Sequence, residues 1–342
     1  MRLSLSLAWP LLLAACAEPS DDAGPTPEDT GSVRRDSGSS GGCAPPDPDP
    51  PATAQGHPTD GWRWQRQGPL FPDEVLFEDP DAVGYNEGAL SPTLVDTGDG
   101  LHLLFMVKRG ASTTLWASQS ADGQAWQEPE PVTGLGEGAG SYPSLIHDGG
   151  SFTLWYGSGS IQRAESADGV AFAPGETVLR PSADGFDGLS LLYAHAVRTG
   201  AGDVALWYTG FDGARFAVGE AACDAEASAC DPAAAPSLER DPAGWDNAAV
   251  AMPEVVDHAG QEHLWYGGYD TVIADPGPWR IGRRDGTSRR ISLPLTDAGV
   301  EAYSTRDPAV VPWGDGWLMV YVGMGDDGRY RLVSATSDVC NR

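Results

Sequence analysis

Five consecutive units of about fifty residues predict an all-β fold, a five-bladed β-propeller, in the last three-quarters of this 342-residue chain. Two observations carry the prediction. A four-residue step recurs: Ser91-Pro92-Thr93-Leu94, Tyr142-Pro143-Ser144-Leu145, Ala194-His195-Ala196-Val197, Met252-Pro253-Glu254-Val255 and Asp307-Pro308-Ala309-Val310. Its second residues stand 51, 52, 58 and 55 positions apart, and an aromatic follows each of them by 13: Phe105, Tyr156, Tyr208, Tyr266 and Tyr321.

The recurring step reads as the first strand of each unit. Each aromatic sits in a short apolar run such as Leu154-Trp155-Tyr156 or Met319-Val320-Tyr321, the second strand. A Gly- or Asp-rich turn precedes it, as in Asp148-Gly149-Gly150. Third strands follow at 114–118, 161–165, 215–219, 279–283 and 330–335. In the first two units the third strand ends in a shared turn, Ser120-Ala121-Asp122-Gly123 and Ser166-Ala167-Asp168-Gly169. An aromatic then begins an outer strand, Trp126 or Phe172. The fifth unit has no room for a fourth strand after Ser337. Residues 61–66, with Trp62 and Trp64, are expected to supply it, closing the ring and removing a free sheet edge.

The N-terminus is organised differently. Arg2 followed by the apolar stretch Leu3 to Leu13 has the pattern of a signal peptide and is too short to span a bilayer. Leu13-Ala14-Ala15-Cys16 resembles a bacterial lipobox. That resemblance implies a lipoprotein: residues 1–15 are removed, Cys16 is lipidated, and Ala17 after it favours the outer membrane or cell surface over inner-membrane retention. Residues 16–60 then form a Pro-, Gly- and Ser-rich acidic tether, disordered for want of apolar side chains, and 61–342 form the propeller. With Cys16 lipidated, four cysteines remain in an oxidising compartment. Cys223 with Cys230 is the local pairing, which leaves Cys43 with Cys340 beside the ring closure.

The formal net charge of −28, with Lys108 the only lysine, argues against nucleic acid as a partner. No phosphate loop, Gly-x-Ser-x-Gly or metal-spaced histidine pair is present, and no metal site is expected.

Together with Trp155-Tyr156-Gly157, Trp265-Tyr266-Gly267 and Arg306-Asp307-Pro308, this register resembles the five-bladed propellers of glycoside hydrolase families 43 and 32. The resemblance implies a carbohydrate-active protein, expected as a monomer, whose ligand or substrate is a polysaccharide or oligosaccharide in the central channel. If it is an enzyme, paired carboxylates hydrolyse an O-glycosyl bond, one protonated and one ionised. Asp307, Glu254 and Glu87 are the candidate catalytic carboxylates, and Arg306, His195, Tyr142, Asp187, Asp212 and Asp270 the candidate substrate contacts. Strand alternation places Glu254 on the same face as Asp307 of the next unit. His195 takes the place of Pro in the third unit, and in some propeller hydrolases a channel histidine lies near calcium; otherwise no cofactor is implied. The family pattern has Asp before Pro in early units, whereas here only Asp307 keeps it. A non-catalytic surface lipoprotein that binds glycan or protein is therefore the alternative.

Overall fold

The computed structural model describes residues 47, 52–53, 59–77, 87–136, 140–199, 202–224, 226–258, 260–270 and 278–338. The signal peptide, Cys16, most of the tether, Cys43 and Cys340 lie outside these, as does the proposed Cys43–Cys340 pairing.

Apart from one short helix, the regular elements of the described chain are strands, arranged as antiparallel meanders. The first runs β2 (Glu87–Asp96), β3 (Leu101–Arg109), β4 (Ser112–Ser120) and β5 (Glu130–Pro131), preceded by β1 (Trp64–Pro69) and a one-turn helix α1 (Asp73–Leu76). The second holds β6 (Ser144–His147), β7 (Phe152–Tyr156), β8 (Ile161–Ser166) and β9 (Glu176–Leu179). The third holds β10 (Ser190–Arg198), β11 (Val204–Phe211), β12 (Phe216–Cys223) and β13 (Cys230–Pro232). The fourth holds β14 (Ala249–His258), β15 (Gln261–Tyr269), β16 (Arg280–Asp285) and β17 (Ser288–Leu293). The last is β18 (Ser304–Trp313), β19 (Gly316–Met324) and β20 (Tyr330–Ser337).

β1 completes this last meander. It runs antiparallel to β20 with Trp64 opposite Ser337. At the other end of the same edge β20 meets β2 in one parallel bridge, Gly88 to Tyr330. The first strands pack in sequence, β2 on β6, β6 on β10, β10 on β14, β14 on β18, and β18 on β2.

The second strands hold the core because both of their faces meet neighbouring sheets. All nine residues of β19 are buried, as are all five of β7. Phe105, Tyr156, Tyr208, Tyr266 and Tyr321 are each fully buried, which stabilises the fold by roughly 1.5–3 kcal/mol per side chain. β1, on the outer edge, alternates half-buried and exposed positions instead.

The Asp-Gly turns are fixed by their own side chains. Asp122 Oδ1 accepts from the amides of Gln124 and Ala125, and Asp168 Oδ1 does the same for Val170 and Ala171. Those amide bonds, with the Ser166 hydroxyl, hold the Asp168 carboxyl down to about 2. The fourth strands run regularly from Glu130 and Glu176, while Phe172 already makes an antiparallel bridge to Ser166 ahead of β9.

Cys223 and Cys230 are joined by a disulfide across the β12–β13 pair, within the third meander. Thr59 and Asp60, which the composition groups with the tether, pair with Ile291 of β17. Asp60 is buried there against Arg283 and Ser292.

Candidate functional site

Every first strand bends at the same point. In four meanders the ladder slips, between Leu90 and Thr93, Leu192 and His195, Ala251 and Glu254, and Arg306 and Ala309. One non-glycine residue at each of these bends takes a left-handed backbone: Ser91 (φ 49°), Tyr142 (52°), Tyr193 (48°), Met252 (60°) and Asp307 (52°). A conformation of that kind costs on the order of 1–3 kcal/mol. In four meanders proline follows. It has no N–H to lose where the ladder is broken.

The third meander corrects the sequence register. Tyr193 holds the bent position, so Ala194, not His195, stands where the others have proline. The β10–β11 turn is one residue longer than the equivalent β2–β3 turn, which moved the spacing by one. His195 therefore corresponds to Glu254, the residue after the proline.

These bends surround a central cavity of about 30 Å3, lined by Ser91, Tyr142, Tyr193, Met252, Glu254 and Asp307 among others. That volume admits a water or two. It is far below the roughly 300–1,000 Å3 of a small-molecule pocket, too small to hold a sugar ring within this cavity.

The side chain after each bend reaches the next meander. Thr93 Oγ1 accepts from Leu145 N at 3.0 Å, and Ser144 Oγ from Ala196 N at 2.8 Å. His195 Nε2 lies 2.7 Å from the Val255 carbonyl, and Glu254 Oε1 accepts from Val310 N at 2.8 Å. At the last junction that position is Ala309, which has no polar group. There Asp307 Oδ2 accepts from both N and Oγ of Ser91, at 2.9 and 3.2 Å. A girdle of polar links thus passes from each first strand to the next.

Both carboxylates in this girdle are occupied on both oxygens. The second oxygen of Glu254 is 2.7 Å from His195 Nδ1, and that of Asp307 accepts from Arg306 Nε at 2.9 Å. His195 faces an acceptor from each ring nitrogen, so the geometry requires a proton on both. Burial opposes that charge, but the Glu254 carboxylate and the Val255 carbonyl together raise the His195 pKa above its ordinary value.

Beside the girdle lies an aromatic and cationic cluster. The Arg306 guanidinium carbon is 5.9 Å from the ring centre of Tyr193, 5.6 Å from Trp279 and 5.9 Å from Tyr330. Its Nη2 donates to the Tyr193 hydroxyl, and the Tyr193 and Tyr142 rings are 4.1 Å apart. Burial pushes both phenols above their usual pKa, so both remain protonated donors. Arg306 Nη1 has no hydrogen-bond partner among the described residues.

The structure thus brings Asp307, Glu254, His195 and Tyr142 to one cavity wall, with Arg306 tied to Asp307. Glu87, half-buried at the start of β2, is outside that wall. Asp187 is buried and accepts from the Tyr208 hydroxyl at 2.9 Å, with Phe186 stacked on the same ring. Asp246 with Tyr266, and Glu301 with Tyr321, repeat this bond in the next two meanders. Asp212 caps a turn through the amides of Ala214 and Arg215, both at 2.8 Å, and borders an outer groove lined by Arg215 and Phe216. Asp270 is buried with an oxygen 3.8 Å from Arg280 Nη1. No cluster of metal-ligating side chains occurs among the described residues.

Tyr193, Trp279 and Tyr330 were not singled out by sequence. Tyr193 was hidden by the one-residue offset. Trp279 and Tyr330 begin third strands and read as ordinary strand aromatics.

No family model matches the chain. Among curated proteins it is 28% identical over 140 residues to the uncharacterized protein Rv1502 of Mycobacterium tuberculosis. The match takes in 37% of this chain, which spans about half (46%) of that relative's length. Solved structures resemble it over most of its length. The catalytic domain of the Coprinopsis cinerea GH62 α-L-arabinofuranosidase has a TM-score of 0.59 at 11% identity, covering 81% of this chain and 97% of that one. A thermostable family-43 glycoside hydrolase gives 0.55 at 16% identity, covering 75% and 91%. The α-L-arabinofuranosidase PaAbf62A of Podospora anserina, in complex with cellotriose, gives 0.58 at 13% identity, covering 82% and 98%. The chain has the fold of the propeller glycoside hydrolases.

Proposed function

We propose that the protein is a lipid-anchored, carbohydrate-binding propeller of the bacterial cell envelope, facing outward from the outer membrane. Five blades form a closed ring whose last blade is completed by β1, and an oligosaccharide or polysaccharide is held across the channel mouth at Arg306, Tyr193, Trp279 and Tyr330. The cyclic packing of the first strands supports the ring. The lipobox-like Leu13-Ala14-Ala15-Cys16 supports the anchor. An arginine framed by aromatic rings suits a sugar, whose apolar faces stack and whose hydroxyls take hydrogen bonds.

One observation favours binding over cleavage. All four oxygens of Asp307 and Glu254 are engaged by the protein's own donors. A glycosidase needs one carboxyl to give a proton to the leaving oxygen and another to act on the anomeric centre or its water. Here both hold blades together. Hydrolysis by Asp307, Glu254 and Glu87 is the second reading, favoured by the glycoside hydrolase neighbours. Screening the soluble domain against aryl-glycosides and polysaccharides, with Asp307→Asn as control, separates the two. Retention of a glycan without release of reducing sugar fits binding, and turnover abolished in Asp307→Asn would establish hydrolysis.

A further inference from the structure

Lys108 is the chain's only lysine, set in a protein of net charge −28. It is half-buried near the end of β3, and its ammonium has no hydrogen bond or ion pair among the described residues. Its position follows from strand pairing. Lys108 lies directly opposite Gly88, so the two share a face of the sheet. On that face a Cβ at Gly88 would lie 2.9 Å from the Tyr330 Cβ, and the Tyr330 ring is one of the three around Arg306. Lys108 therefore stands on the Tyr330 side of the Arg306 cluster. Consistent with this, burial and the Arg306 charge both lower the Lys108 pKa.

Arg306 and Lys108 thus bring two positive charges to one place, and Asp307 answers only one of them. Glu87 is adjacent to Gly88 in β2, so strand alternation sends its side chain to the opposite face. Arg306 also keeps Nη1 without a protein partner among the described residues. A neutral sugar needs no such excess of charge.

We propose that the channel mouth recognises an acidic glycan, a uronic-acid residue whose carboxylate is taken by Lys108 Nζ and Arg306 Nη1 while its ring lies against Tyr330 or Trp279. This rests on the glycan-binding reading above. A planar guanidinium beside an ammonium suits a carboxylate. The overall negative charge does not forbid it, because charges beyond about 8 Å are largely screened at physiological salt.

The test is calorimetric titration of the full chain with oligogalacturonate, and with the same oligosaccharide after methyl esterification, which removes only the charge. Binding of the acid at least tenfold tighter than the ester is expected. Lys108→Gln should weaken binding of the acid toward that of the ester, while Lys108→Arg keeps the preference. Equal affinity for acid and ester, or a preference that survives Lys108→Gln, overturns the proposal and leaves glycan binding standing. Tighter binding of a sulfated oligosaccharide overturns the carboxylate assignment. If neither form binds, and neutral arabino-, xylo- and manno-oligosaccharides do not bind either, the glycan-binding reading falls with it.

Discussion

Replacing Glu254 by Ala removes a side chain that joins three meanders. Two losses add. The Val310 amide, buried at the channel wall, loses its 2.8 Å acceptor, which costs about 1–3 kcal/mol. His195 loses the carboxylate 2.7 Å from Nδ1. The two side chains are only 13% and 7% exposed, so solvent screens little of the pair. Breaking a buried pair from one side costs about 3–5 kcal/mol in all, much of a typical 5–15 kcal/mol stability. The expected fall in Tm is roughly 6–20 °C. Glu254→Gln is the sharper variant. Its carbonyl still accepts from Val310, and its amide donates to a neutral His195 that keeps one proton on Nε2 for Val255.

The pH dependence has a definite sign. The folded pKa of His195 lies above the ordinary 6.5, so the pair's stabilisation is complete below 6.5 and fades as pH rises through the raised value. Urea melts of the wild type from pH 6 to pH 9 should show stability falling, and Glu254→Gln should flatten that slope. An Ala variant costing under about 1 kcal/mol, or a Gln variant with the wild-type slope, refutes the link.

Three further outcomes follow from the same geometry. Gly88→Ala would place a Cβ 2.2 Å from the Tyr330 carbonyl at a φ of +133°, so hydrogen exchange should rise selectively in β2 and β20. Thr93→Val keeps the shape but removes the acceptor of Leu145 N, and denaturant titration should show a loss of about 1–3 kcal/mol. Tyr321→Phe leaves Glu301 bonded to Arg66 but without its buried hydroxyl donor, for a loss of about 1 kcal/mol on chemical unfolding.

The meander repeat was legible because each second strand is buried on both faces, and that demand writes an aromatic in the same register five times, Phe105 once and tyrosine four times. The β1–β20 pair was legible because the fifth unit lacked its fourth strand. The site was less so. Alternation assumes a regular strand, yet the left-handed backbone at Asp307 and its equivalents rotates one residue out of that pattern. Asp187 resembled a sugar contact because it follows an aromatic, but its carboxylate is taken by Tyr208 of the neighbouring β11. Lys108 and Arg306 are about 200 positions apart in sequence, and the route between them runs through the β2–β20 junction. No local motif reports such a meeting.

Whether a glycan lies across the channel mouth is tested most directly by oxidative footprinting with hydroxyl radicals, read by mass spectrometry with and without oligogalacturonate. Protection is expected at Tyr142, Tyr193, Trp279 and Tyr330, with Phe216 in the outer groove unchanged. Protection at Phe216 with those four rings unaffected would contradict glycan binding at the channel mouth.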